Sequence, residues 1–167
     1  MSDEPVRYME RTRDYYRGLG YEKAYRWAHF DDIPFAPLRK PLAQCRVGLV
    51  TTSDIAVASE DGGRNKHDPL ALVGNVYSIS SDTAVERLYS RNEHYDQHAT
   101  NLDDVNSYCP ITRLQESAAA GRIGSFAPNF HGVYTAYSQR VTMERDAPEV
   151  LRRCINDQVD VALLTPV

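Results

Sequence analysis

No two cysteines of this sequence stand in a CxxC pair, and the three present, Cys45, Cys109 and Cys154, are an odd number. That excludes a disulfide framework and a structural zinc ribbon. It leaves a reducing cytoplasm as the expected compartment. Long apolar runs are missing as well: none approaches the roughly 18 residues that a membrane span requires, and the first residues carry no apolar signal core. No membrane partner is expected. Positive charge is not in surplus, with 19 Lys and Arg against 23 Asp and Glu and a net charge of −4. Nucleic acid is therefore not an expected partner, because neutralising phosphates takes a clustered basic surface. The arginines at 7, 11, 13 and 17 are interleaved with acids and read as a solvated helix face. A glycine-rich phosphate loop, a GxSxG elbow and a P-loop lysine are all absent, which argues against nucleotide and serine-hydrolase readings. There is no internal repeat and no low-complexity segment.

What is present fits one soluble domain: 167 residues, 42% hydrophobic and 25% charged, long enough to bury a core without staples. The spacing of Val6, Met9, Tyr16 and Leu19 predicts a helix over 5–19, with Pro5 in its first turn and Gly20 at its stop. The aromatic residues Tyr21, Tyr25, Trp27 and Phe30 that follow are expected to pack in a core or against a neighbouring subunit. Three prolines between Pro34 and Pro41 mark an extended connector. "RVGLVTT" (46–52) reads as a strand buried on both faces, and "ALVGNVYSIS" (71–80) as a second strand. "SEDGGRNKHDP" (59–69), with His67, reads as a loop, and "DTAVERLYS" (82–90) is equally a short helix or a strand. Pro110 and Gly121 bracket a helix, and Gly132 suits a bend. Asp146 and Glu149 have the spacing of a capping box before a helix whose apolar face holds Val150, Leu151, Cys154 and Ile155. "VDVALLTPV" reads as a final buried strand. Strands separated by helices predict an α/β fold, Rossmann-like or flavodoxin-like, with a mostly parallel sheet. Residues 1–36 would form a helical N-terminal extension and 37–167 the core of a single domain.

In such sheets ligands bind beyond the carboxyl ends of the strands. Two such ends are legible, Thr51-Thr52-Ser53 and Thr165-Pro166, and their hydroxyls suit a carboxylate or a phosphate, or equally serve as strand-end turn formers. The stretch "EHYDQHATNLDDVNSYCP" (93–110) concentrates polar chemistry. His94 and His98 are four apart, as ligands on one helix face are, and Asp96, Asp103 and Asp104 offer oxygen nearby, so zinc or iron is one reading of the segment. A polar active-site loop without metal and a hydrogen-bonding structural loop are the others. Cys109 precedes Pro110 at a helix start, where the helix N-terminus favours the thiolate, and is the best placed of the three thiols; a small capping or packing residue is the other reading. Cys154 reads as core and Cys45 as inert. His131, beside Phe130, is either a proton-transfer group or a structural histidine. The expected geometry is a single polar pocket, with the 93–110 loop folded over the tips of the first and last strands.

"PLRKPLAQCRVGLVTTSDI", "EHYDQHATNLDDVNSYCPITRLQESAAAGRIG" and "APEVLRRCINDQVDVALLTPV" together resemble the selenoprotein B family of glycine/sarcosine/betaine reductases and D-proline reductases. The likeness covers residues 37 to 167 and is carried by several motifs. Thr51, Thr52, His94, Tyr95, Asp96, Asp104, Asn106, Pro110 and Gly124 match the family pattern. The resemblance implies a Rossmann-like domain and reductive cleavage of a carbon–nitrogen bond in a small amino-acid-like or quaternary-amine substrate. In the family, a selenocysteine or cysteine is the catalyst, assisted by a pyruvoyl-bearing partner. The sequence resembles a short member, without selenocysteine or the cysteine-rich segment that follows the final strand elsewhere in the family.

The enzyme reading that follows gives catalytic roles to His94, Asp96, Asp104, Asn106 and Cys109, and substrate binding to Thr51, Thr52, Tyr95 and Thr165. The alternatives are a non-catalytic subunit or ligand-binding module of the same fold, and a metal-dependent enzyme using His94, His98 and a carboxylate. The cofactor reading stays open between none and a divalent metal. The expected partners are a small-molecule substrate and either a second copy of the chain or the other subunits of a reductase complex.

Overall fold

The computed structural model describes residues 7–24, 26, 28–34, 36–64, 76–93, 95, 98, 101–134, 136 and 138–166. The chain divides into two compact units, Met1–Phe35 and Ala36–Val167.

The first unit contains α1 (Tyr8–Gly18). Its first turn carries Glu10 and its last Arg17, so the side chains complement the helix dipole. None of its residues is buried, and Tyr8, Tyr15, Tyr16 and Tyr21 are all exposed. Among the described residues of this aromatic segment two edge-on contacts form, Tyr15 with Tyr16 and Tyr16 with Tyr21, at centroid distances of 5.5 and 5.6 Å. Tyr25 and Trp27 lie outside the described residues.

The second unit is built on β1 (Arg46–Thr51), whose last five residues are all buried. Val47 and Leu49 point to one face and Val50 to the other, as the period of two requires. Each such side chain contributes about 1.5–3 kcal/mol on burial. One edge of β1 pairs in parallel with β7 (Val161–Thr165) along five residues. The other edge pairs in parallel with β5 (Ser125–Phe126) at its start and β6 (Asn129–Val133) at its end. Beyond β6 lies β3 (Val76–Ser80), antiparallel to it. A separate antiparallel pair joins β2 (Ile55–Val57) to β4 (Leu88–Ser90). The fold is thus α/β with a mostly parallel sheet.

Helices pack on both faces of that sheet. α2 (Ile111–Ala119) places Ile111, Leu114 and Ala118 against Val47, Leu49 and Phe130. Pro110 opens it, and Gly121, in the left-handed region at φ +68°, ends it. On the other face, α4 (Ala147–Asn156) packs Val150 and Cys154 against Val50 and Val133.

Several sequence readings are corrected by the structure. The capping box at Asp146 does not form. The backbone is already helical there, through α3 (Gln139–Val141) and a π-helical turn, Thr142–Asp146, so Asp146 has no free N–H groups ahead of it to cap. Its carboxylate is instead buried and accepts from the Arg145 guanidinium at 3.0 Å, while Glu149 pairs with Arg152 and Arg153. β7 is not buried on both faces. It lies at the sheet edge, and Leu163 and Leu164 are exposed. Gly132 is not at a bend but inside β6, opposite Tyr77. The helix proposed over 5–19 begins at Tyr8 among the described residues. The 71–80 strand begins at Val76, residues 71–75 lying outside the described set, and 82–90 resolves into the 3-10 turn Val85–Arg87 followed by β4. No helix among the described residues is long and apolar enough to cross a membrane.

Candidate functional site

The parallel strands β1, β6 and β7 end on the same side of the sheet, and the chain leaving β1 builds a buried polar cluster there. Thr51 is fully buried. Its hydroxyl lies 3.1 Å from the Tyr108 carbonyl, 2.6 Å from the Ser53 hydroxyl and 3.2 Å from the Ser53 N–H. One donated and two accepted bonds use every hydrogen-bonding position of a hydroxyl. The substrate-binding role expected of Thr51 is therefore replaced by a structural one: it fastens the 93–110 segment to the strand tip. Thr52 donates its N–H to the Thr165 carbonyl at 3.4 Å, and the Thr165 hydroxyl donates back to the Val50 carbonyl at 3.3 Å.

Next along the chain, Asp54 takes the left-handed conformation at φ +49°. Its carboxylate meets the Arg91 guanidinium at 2.7 Å, the two side chains being 7% and 10% exposed. The Arg91 N–H also donates to the Asp54 carbonyl at 2.9 Å. The Ile55 N–H donates to the Tyr77 hydroxyl at 2.6 Å, and burial, reinforced by the Asp54 charge, pushes that phenol above its usual range. The Ser90 hydroxyl donates to the Ser53 carbonyl. Sequence reasoning passed over Asp54, Arg91, Tyr77 and Ser90. The one signal available was an aspartate in the short polar stretch after a buried strand.

Cys109 lies in the same cluster. Burial pushes its thiol up to about 12, against the lowering expected at a helix start. Desolvation of the thiolate outweighs the helix terminus because the residue has no exposure at all. Cys45 and Cys154 are buried too. Ellman's reagent at pH 8 is expected to leave the native protein essentially unmodified over minutes and to titrate three thiols in guanidinium. A rapid stoichiometric reaction of the native protein at Cys109 would contradict this burial.

The acidic part of the 93–110 segment opens elsewhere. Asp104 accepts the Asn106 N–H at 2.9 Å and so caps the 3-10 turn Val105–Ser107. The Asn106 side-chain oxygen accepts from the Thr112 N–H and hydroxyl at 3.1 and 2.6 Å, which fixes the first turn of α2. These bonds leave the outer sides of Asp103, Asp104 and Asn106 on a cavity of about 340 Å³, also lined by Arg64, Glu86, Tyr89 and Leu102. The Arg64 guanidinium stands 5.3 Å above the ring of Tyr89. Tyr108 links the two regions. Its carbonyl holds Thr51, its hydroxyl donates to the Leu102 carbonyl at 3.1 Å, and its phenol feels both Arg64 and Asp104.

The single pocket expected at the strand tips is therefore two places: a buried cluster at the tip of β1, and an open cavity beside β4 that none of Thr51, Thr52 and Thr165 lines. Asp104 and Asn106 belong to the cavity, Thr51 and Cys109 to the cluster. Tyr95 is half-buried and His98 exposed, while His94 and Asp96 lie outside the described residues. Among the described residues no three His, Cys, Asp or Glu side chains are disposed to hold a metal. Compared with protein-family models, with curated proteins and with solved structures, the chain matches none.

Proposed function

We propose that this chain is the substrate-binding α/β unit of a reductase-related enzyme, holding a small amino-acid-like or quaternary-amine molecule in the cavity beside β4. The observation that carries the reading is the cavity's charge pattern. One guanidinium, Arg64, shares it with three carboxylates, Glu86, Asp103 and Asp104, and with the aromatic Tyr89. A zwitterion presents the complementary set. Its carboxylate suits the planar donors of an arginine, and its ammonium, methylated or not, suits carboxylates and an aromatic face. A volume of about 340 Å³ falls within the range of small-ligand sites. The resemblance of residues 37–167 to the glycine/sarcosine/betaine and D-proline reductases points to the same class of molecule.

Reductive cleavage of a carbon–nitrogen bond needs an accessible thiol or selenol. The burial of all three cysteines favours a division of labour in which this chain binds the substrate and another subunit of a complex contributes the redox group.

Calorimetric titration with glycine betaine, sarcosine and D-proline tests the proposal. At least one is expected to bind saturably. Arg64→Ala should weaken that binding about tenfold or more, the worth of a charge-assisted hydrogen bond. Asp104→Asn keeps an acceptor for the Asn106 N–H, so it should change the affinity while leaving the urea midpoint in place. Absence of binding by all three compounds, or equal affinity in Arg64→Ala, overturns the reading.

A further inference from the structure

On the face of the sheet covered by α4, away from the cavity, three side chains from separate elements form a relay. Ser78 on β3 and His131 on β6 are direct cross-strand partners, and the Ser78 hydroxyl lies 2.9 Å from His131 Nδ1. His131 Nε2 faces the Asp157 carboxylate at 3.6 Å. Asp157, just past α4, also accepts from the Asn129 amide with both of its oxygens, at 3.0 and 3.2 Å. Ser78 is exposed, whereas His131 is 2% exposed.

The hydrogen-bond inventory sets the direction of the relay. The Arg153 guanidinium can only donate, and it donates to Ser78 Oγ at 2.8 Å. Nε2 looks toward a carboxylate, so it carries the ring proton. Nδ1 is then the acceptor, and the Ser78 hydroxyl donates to it. Burial lowers the readiness of His131 to protonate, with Asp157 opposing that effect, so the ring is a free base near neutrality. A histidine kept only for packing would be satisfied at both nitrogens. Here Nε2 is buried with no hydrogen-bond partner, 3.6 Å from the Asp157 carboxylate.

We propose that Ser78, His131 and Asp157 form a second, esterase-type site, separate from the substrate cavity, that acts on small acyl esters. Ser78 Oγ attacks the acyl carbon and forms a new C–O bond. Its proton passes to His131 Nδ1 and on to the departing alkoxide, so that the ester C–O bond breaks and an alcohol leaves. Water then adds to the acyl-Ser78. His131 takes the water's proton and returns it to Oγ, releasing the carboxylic acid. Arg153, held by Glu149 at 2.7 Å, donates to Oγ, so its guanidinium stands next to the acyl carbonyl oxygen, on which the tetrahedral adduct gathers negative charge. Asp157 is a positioning residue that orients the ring and stabilises its charged form. The missing GxSxG elbow does not bear on this arrangement, since such relays are recognised by geometry and roles rather than by sequence position.

The test uses a fluorophosphonate probe and p-nitrophenyl acetate on the full chain. The expected result is a single phosphonylated residue, Ser78, located by peptide mass spectrometry, and ester hydrolysis that falls at least about 100-fold in Ser78→Ala. Ser78→Ala leaves the buried His131 Nδ1 without its donor, so its urea midpoint should fall slightly while unfolding stays cooperative, and the loss of hydrolysis far exceeds any loss of folded protein. The groups facing His131 are Asp157, Glu149, Arg153 and Ser78. Removing the Asp157 charge lowers the pKa of the ring, so Asp157→Asn should shift the midpoint of the rising limb of the pH–rate profile to lower pH. Labelling at another residue, hydrolysis unchanged in Ser78→Ala, or a profile that Asp157→Asn does not move to lower pH overturns the assignment.

Discussion

Arg91→Met is expected to cost about 3–5 kcal/mol of unfolding free energy, read from urea denaturation, because it strands a buried carboxylate. Asp54 is 5% exposed, and its carboxylate meets the guanidinium at 2.7 Å. In that surrounding a lone charge cannot recover its hydration by turning to solvent. The backbone bond from the Arg91 N–H to the Asp54 carbonyl survives the substitution, so the loss reports on the ion pair. Asp54→Asn is the matching change, since asparagine tolerates the left-handed backbone at φ +49° better than most residues do. Combining the two leaves no unpaired charge. The double variant should therefore be more stable than the sum of the single losses indicates, by about 2 kcal/mol. For a domain whose total stability is typically about 5–15 kcal/mol, the single Arg91 change is severe. A loss below about 1 kcal/mol would mean that water screens the pair as it does at a surface.

Gly132→Ala should destabilise by about 3 kcal/mol, at the upper end of overpacking effects. An added Cβ would lie 1.9 Å from Cζ and 2.2 Å from the hydroxyl oxygen of Tyr77. The ring cannot swing aside freely, because its hydroxyl accepts the Ile55 N–H at 2.6 Å and anchors the chain as it leaves β1. In a strand, glycine is otherwise worse than alanine by roughly 0.5–1 kcal/mol, so a loss in this direction identifies the aromatic neighbour as its cause. Truncating the neighbour separates the effects. In a Tyr77→Ala background the Gly132→Ala change should be close to neutral. An equal cost in both backgrounds would place the clash elsewhere.

The two variants probe different parts of the same design. Asp54, Arg91 and Tyr77 all brace the turn that follows β1, and Thr51 ties Tyr108 to it. The segment that Tyr108 ties to this turn, from Leu102 to Asn106, forms one wall of the cavity proposed to bind substrate. A rigid, buried support behind an open polar cavity is the arrangement that holds binding groups in register.

The amino-acid sequence by itself determined the local elements. The apolar, β-branched run of β1 makes sense only as a strand buried on two faces, and Pro110 and Gly121 bracket α2 through backbone geometry that needs no distant partner. Strands alternating with helices carried the α/β class and the parallel character of the sheet. Tertiary structure decided which side chains meet. Asp54 and Arg91 are 37 residues apart, Ser78 and His131 are 53, and Thr51 and Tyr108 are 57. No periodicity of two or 3.6 encodes such separations; the strand order does. Two local rules were also reversed, one by burial and one by the backbone that precedes the residue. Cys109 stands where a helix start favours the thiolate, yet complete burial raises its pKa instead. Asp146 has the spacing of a cap, yet a π-helical turn had already made its surroundings helical. In both cases a short-range preference worth about 1 kcal/mol met desolvation or backbone continuity, and the stronger of the two effects prevailed.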